Sequence, residues 1–418
     1  MRLRTLWRSR MIAVLMATAA LVAAGPVSGP TRASAAPQAA LVPAVDREVH
    51  FTADGTTAYG TLHIPTHRAG HRLAAALLLP GSGPTDRNGD EPPDYTPHTL
   101  ALMAGVLSGD GVMSLRFDKY GTGRTGLGGR TSAPGMAAYT RQAVAAYDTL
   151  RAQPEADPHA LLVVGHSEGG LQALLVDRAV QPKPAGLALI APQDMRLLDL
   201  IRLQLADALN RAVVAGQLTA QQAWLNNRGV ARAIADFRAQ RPVDTSGLLP
   251  SLSSLLNGMF GPVNADFVRS DDALYPPSVA RGMAHGTRTL VTCGTEDTNV
   301  PCRTMPSLLS ALGAAHTTGP GPRVLPGLDH LLHPAGTPVN DPAIAPAAQQ
   351  VLHDFLRPWR HATQGCGTLP RRRRVPLLRP TQCGTATALA SATGGKMTTG
   401  RDSGPMQGWG LGMSEVWR

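Results

Sequence analysis

The stretch that most constrains the fold is Leu161-Leu-Val-Val-Gly-His-Ser-Glu-Gly-Gly170. An apolar run from Leu161 to Val164 stops at Gly165, Ser167 follows, and an Ala/Leu-rich helical pattern begins at Leu171. This is a strand, a tight turn and a helix, with G-x-S-x-G at the turn. In that geometry a serine occupies a strained corner that only glycines can flank without clashing. Its Oγ is lifted clear of the sheet, and the next backbone N–H helps to form an oxyanion pocket at a helix N-terminus. The five-residue pattern alone is common. The strand before it and the helix after it favour Ser167 as a nucleophile over a helix-capping serine in a glycine-rich turn.

The flanking sequence repeats the same rhythm. Segments Val49 to Thr52 and Tyr59 to Ile64 around Asp54-Gly55 form a hairpin signal. Leu73 to Leu79 is a continuous apolar run, as expected for a strand buried on both faces. Helical patterns follow at 97–108, 136–151, 171–179, 305–312 and 347–356, alternating with strand-like runs at 112–117, 186–191, 289–293 and 323–326. Strands alternating with helices in this way predict an α/β fold, a mostly parallel sheet covered on both faces, with its site at the C-terminal ends of the strands. Pro80-Gly-Ser-Gly-Pro-Thr-Asp-Arg-Asn-Gly-Asp90 lies at one such end. Its glycines let backbone N–H groups face a ligand, and the N–H of Ser82 is the expected oxyanion donor beside that of Glu168; the plain alternative is a surface turn. Asp118, upstream of Ser167, reads as a structural carboxylate tying loops together.

Between 193 and 281 the βα rhythm breaks. Asp199 to Gly216 and Thr219 to Arg238 read as amphipathic helices, and 246–261 is a Ser/Leu/Gly mixture without an assigned element. An insertion of this length between two core strands is expected to be a helical lid over the site, with peripheral helices that only enlarge the core as the alternative. The organisation predicted is 1–35 a signal peptide, 36–192 and 282–360 the core, 193–281 the lid, and 361–418 a disordered basic tail.

A serine is a weak nucleophile until a base takes its proton, and that base must be oriented by an acid. Downstream of Ser167, Cys293-Gly-Thr-Glu-Asp-Thr-Asn-Val-Pro301 follows a strand and offers Asp297, with Glu296 as rival. Leu325-Pro-Gly-Leu-Asp-His330 follows the last strand and offers His330, with His333 one helical turn on. No metal or cofactor is expected: His330-Leu-Leu-His333 has no Glu between its histidines, and no cysteine pair has metal-ligand spacing. Cys293 and Cys302 bracket the acid loop and are either bridged, which would hold Asp297 in place, or two buried thiols.

The net charge of +10 misleads until it is located. Residues 1–35 carry five Arg and no acid, and 361–418 carry eight Lys/Arg against Asp402 and Glu415. The body, 36–360, holds 26 basic and 27 acidic residues and is nearly neutral, which argues against a nucleic-acid partner. Arg2, Arg4, Arg8 and Arg10, the apolar run Met11 to Ala24 and the small residues Ala33-Ser-Ala35 read as a secretory signal rather than an uncleaved anchor. Arg371 to Arg374 in the tail offers a weak contact for an anionic surface.

Five motifs in this order resemble a known family: Pro80-Gly-Ser-Gly-Pro, Arg116-Phe-Asp-Lys-Tyr-Gly-Thr-Gly, Gly165-His-Ser-Glu-Gly-Gly, Gly294-Thr-Glu-Asp-Thr-Asn-Val-Pro and Gly327-Leu-Asp-His. Over roughly 48–358 the chain is similar to the serine aminopeptidase-like branch of the α/β-hydrolase superfamily. The resemblance implies Ser167 as nucleophile, Asp297 as acid, His330 as base, and the N–H groups of Ser82 and Glu168 as oxyanion donors. The chain departs from the branch at Pro80, where many relatives have His, and at Tyr120, where Arg is frequent. The branch includes esterases, lipases, thioesterases and peptidases. A secreted serine hydrolase acting on a small-molecule carboxylic ester is therefore expected, with an exopeptidase of the same fold or a non-catalytic envelope-associated binding protein as alternatives.

Overall fold

The computed structural model describes residues 39–360; the signal-peptide and basic-tail readings fall outside the described residues. A first hairpin pairs β1 (Val45–Ala53) with β2 (Thr56–Ile64). Its turn residues Asp54 and Gly55 both have positive φ, as the sequence pair predicts. Then come β3 (Leu73–Leu79), α1 (Thr99–Gly109), β4 (Met113–Phe117), α2 (Met136–Arg151), β5 (Ala156–His166), α3 (Glu168–Ala179) and β6 (Gly186–Ile190). Five helices follow: α4 (Leu197–Val214), α5 (Ala220–Arg238), α6 (Pro250–Phe260), α7 (Ala265–Asp272) and α8 (Pro276–Ala280). The chain closes with β7 (Arg288–Gly294), α9 (Pro306–Ala314), β8 (Thr318–Leu325) and α10 (Pro346–Leu356). The eight-stranded sheet runs β8-β7-β6-β5-β3-β4-β2-β1, antiparallel where β2 meets β1 and β4 and parallel elsewhere.

The unbroken apolar runs of β3 and β5 arise because both faces of the sheet are covered. Leu73, Ala75, Leu77 and Leu79 point into a core shared with α2, α3 and α9, whereas Ala74, Ala76 and Leu78 point into one shared with α1 and α10. β5 divides in the same way, with Leu161 and Val163 on one side and Leu162 and Val164 on the other. Leu79 pairs with Gly165, and Leu325 with Gly294. The loops that leave β3, β5, β7 and β8 therefore emerge at one rim.

The insertion between β6 and β7 builds a core of its own from Leu198, Ile201, Leu205, Ile234, Phe237 and Leu256, among others. Thr219 caps α5 through a reciprocal pair with Gln222. The unassigned stretch 246–261 contains α6. Its buried Leu252, Leu256 and Met259 recur at helical spacing, and the serines and glycine between them obscured the pattern. The last helix, α8, departs from the insertion: Val279 and Ala280 pack with the sheet's own core. β8 is longer than the sequence suggests. Its Thr318-Gly-Pro-Gly-Pro start has little strand propensity and is accommodated on the sheet edge with a register shift between Thr318 and Gly321. Among the described residues no helix is long and apolar enough to cross a membrane.

Candidate active site

Ser167 sits between β5 and α3 with φ 57° and ψ −122°. A residue other than glycine is held there only if its surroundings over-determine it. They do so through backbone packed on backbone. A Cβ on Gly165 would lie 1.9 Å from the Gly169 carbonyl oxygen, and one on Gly169 would lie 2.2 Å from that of Leu79. The Ser167 N–H donates to the Ile190 carbonyl (3.0 Å), and its own carbonyl accepts from Gly170 (2.9 Å) and Gln193 (2.9 Å).

The acid and base come from the neighbouring strand ends. Asp297 is 3% exposed. One of its oxygens accepts the N–H groups of Asn299 and Val300, both at 2.8 Å; the other is 2.8 Å from His330 Nδ1. Glu296 is exposed to solvent. His333 is buried, with its backbone N–H on Asp329 Oδ1 at 2.9 Å and no hydrogen-bond partner on either ring nitrogen. Cys293 and Cys302 form a disulfide that closes the loop around Asp297. Burial pulls the His330 pKa down, but the charge and hydrogen bond of Asp297 outweigh it, so the imidazole ends above its ordinary value. His166, beside the serine, donates from Nε2 to the His330 carbonyl oxygen at 2.8 Å. Burial, aided by the neighbouring His330, drops its pKa to about 3, so His166 is a neutral strut between the serine strand and the histidine loop.

Ser167 and His330 line one cleft together with Ser82. The loop carrying Ser82 approaches the serine closely: a Cβ on Gly81 would lie 3.3 Å from Ser167 Cβ. Thr85 Oγ1 donates to the Ser82 carbonyl at 2.8 Å. Glu168, the other expected donor, begins α3. Asp118 ties the loops as its position suggested, receiving Arg87 through Nε (3.0 Å) and Nη2 (2.7 Å) and the N–H of Arg124 (3.0 Å).

Three further residues converge here without having been singled out in the sequence. Lys119 Nζ donates to the Gly81 carbonyl oxygen at 2.6 Å and lies 3.9 Å from Glu168 Oε1. Gln193 reaches Ser167 through its backbone N–H and Asp271 Oδ1 through Nε2, at 2.7 Å. From α4 of the insertion, Gln204 lines the cleft and donates to the Asn299 carbonyl at 2.7 Å. Lys119 had a signal, since it adjoins Asp118 in a strand-end motif; the two glutamines had none.

The model of the serine aminopeptidase family (S33) matches residues 99–237, a span that contains the whole elbow. The sheet order and the two helical layers are those of the α/β-hydrolase fold. None of the curated proteins matches the sequence. Among solved structures, it is similar to Est1E of Butyrivibrio proteoclasticus with ferulic acid bound, at 13% identity, 74% of this chain, 98% of that one and a TM-score of 0.47. A Pyrococcus furiosus esterase is 15% identical, covering 76% of this chain and 92% of its own, with a TM-score of 0.47. The acylaminoacyl peptidase of Pyrococcus horikoshii is 11% identical over 78% of this chain and 43% of its own, with a TM-score of 0.48.

Proposed function

We propose that the protein is a secreted serine esterase that hydrolyses small, uncharged carboxylic esters through an acyl-enzyme on Ser167. The observation that carries this reading is that the strained serine shares its cleft with His330, whose Nδ1 is held by a buried carboxylate. His330 takes the proton of Ser167 as Oγ attacks the ester carbonyl, and the N–H groups of Ser82 and Glu168 stabilise the developing oxyanion. His330 then passes the proton to the departing alcohol, and water attacks the acyl-enzyme by the same route. Export is supported by the basic-apolar-small pattern at the N-terminus and by the Cys293–Cys302 bridge, which persists in oxidising compartments.

The substrate class follows from what surrounds the cleft. A second cavity of about 50 Å³ shares Ser82, Leu197 and Ile201 with it and is walled by Tyr139, Met259 and Phe267. By the measure in which one water needs roughly 10–15 Å³, it takes a group of a few heavy atoms. His330 lines the first cleft and not the second, and the leaving alcohol must lie beside the base that protonates it. The small cavity is therefore the place for a short apolar acyl group. Helix α4 supplies Leu197, Ile201 and Gln204 to these walls, the role expected of a lid.

An exopeptidase of this fold needs a carboxylate for the substrate amine. Asp271 accepts from Gln193 through Oδ1, Asp272 is taken by Arg238 and the Leu198 N–H, and Asp266 is exposed; Glu91, the carboxylate in the cleft of Ser167, accepts from Thr85 Oγ1 at 3.1 Å. The charged group in the acyl cavity wall is Lys119, which repels an ammonium. Fluorophosphonate labelling of the wild type but not of Ser167→Ala, with short-chain p-nitrophenyl esters cleaved far faster than amino-acid p-nitroanilides, is the expected result. Anilides as the better substrates would favour the peptidase, and an unlabelled wild type would favour a binding protein.

A further inference from the structure

We propose that Lys119 is a positioning residue that sets both oxyanion donors with a single ammonium. The proposal rests on the serine-esterase reading above and concerns how its pocket is held. Lys119 lies just past β4 and is 6% exposed. Its Nζ donates to the Gly81 carbonyl oxygen at 2.6 Å, a short charge-assisted bond. That carbonyl belongs to the same planar peptide unit as the N–H of Ser82, and in a trans peptide the two groups point in opposite directions. Anchoring the oxygen on Lys119 therefore fixes the opposite face of the unit, from which the N–H projects. The ammonium also polarises the amide, strengthening the N–H as a donor.

The same nitrogen lies 3.9 Å from Oε1 of Glu168, the residue whose backbone N–H is the second donor. Glu168 is 2% exposed, and its Oε2 has no hydrogen-bond partner. Burial pushes the Glu168 carboxyl above its ordinary range, and Lys119 is the cation that opposes that push. The other groups around the ammonium are the Tyr139 ring, 5.9 Å from its centroid, and Asp271, which feels its charge. Burial and the nearby Glu168 push the Asp271 carboxyl well above the ordinary range, and its Oδ1 accepts from Gln193, which itself holds the Ser167 carbonyl. One cation thus ties the β3 loop to the start of α3. The loop begins at Pro80, where the sequence departs from the branch it resembles, and its Gly81 carbonyl is held by a side chain from just past β4.

The test uses Lys119→Met and Lys119→Met/Glu168→Gln in the full chain, with rates normalised to fluorophosphonate-titrated sites. For a short p-nitrophenyl ester, kcat falls roughly 10–100-fold, somewhat less than the loss of a whole oxyanion donor. KM moves less than about threefold, and the inhibition constant of an alkyl boronic acid rises in step with the fall in kcat, because both report on the tetrahedral oxyanion. The double variant leaves no unpaired charge at Glu168, so the measurement survives if the single variant folds poorly. A lysine with only a structural part would lower the melting temperature while kcat and boronate inhibition per titrated site stayed at wild-type values, and that result overturns the proposal. A wild type that does not react with fluorophosphonate defeats the esterase reading itself; a reactive wild type matched by both variants defeats only the role of Lys119.

Discussion

The two sides of the candidate active site are held by different physics. On the serine side, order comes from steric fit: β5, α3 and the β3 loop approach so closely that Gly165 and Gly169 leave no space for a methyl group. On the acid–base side, order comes from directional bonds: Asp297 is fixed by two N–H groups, one imidazole and the disulfide that closes its loop. Steric fit is all-or-none, because a clash with backbone cannot be relieved by rotating a side chain. Polar fixation is graded, because each bond contributes a modest share. Substitutions on the two sides should therefore fail differently.

The largest effect is expected at Gly165→Ala. Its Cβ meets the Gly169 carbonyl at 1.9 Å, so the elbow must open, and fluorophosphonate labelling should be lost along with several degrees of melting temperature. A labelled, stable variant would break the contrast. Asp297→Asn comes next: the fold should persist while kcat falls by roughly 10⁴-fold, since the amide favours the wrong imidazole tautomer. Glu296→Gln, in solvent on the same loop, should change kcat less than about twofold.

The pH profile sharpens the comparison further. In the proposed mechanism catalysis requires neutral His330, and Asp297 holds that imidazole protonated to a higher pH than usual. Activity should therefore rise with pH through a pKa above 6.5 in the wild type. In Asp297→Asn the acid limb should move to lower pH, because burial, which favours the neutral ring, is then opposed only by the weaker pull of Asp329. A limb unmoved by the substitution would mean that another group titrates. A milder effect than that of Asp297→Asn belongs to Cys293→Ala/Cys302→Ala: about 2–3 kcal/mol less stability by the loop-closure relation, with kcat lowered only a few-fold. Calorimetry and ester turnover check both.

The same contrast explains what could be read from the sequence. β3, α2 and the elbow were legible because burial on both faces of a sheet and the steric demands of a strained turn each leave a local pattern. The helical insertion was legible only in its amphipathic halves, α4 and α5. α6 was missed because Ser253, Ser254 and Gly258 dilute its apolar stripe, and α8 because five residues carry too little periodicity. Asp297 and His330, whose side chains meet in the structure, were singled out by their places after strands. Gln193 and Gln204 were not, because nothing local distinguishes a glutamine that bridges two loops from one on the surface. Lys119 lies between, visible as part of a motif but with a partner, the Gly81 carbonyl, that only three dimensions supply.

The most direct test of the whole account is a crystal structure of the protein after reaction with a small alkyl fluorophosphonate. The account predicts phosphorus bonded to Ser167 Oγ and the phosphoryl oxygen about 2.7–3.1 Å from the N–H groups of Ser82 and Glu168. It also predicts His330 Nε2 facing the adduct with Asp297 still on Nδ1. An adduct on another residue, or a phosphoryl oxygen turned to solvent while those two N–H groups bond elsewhere, would contradict it.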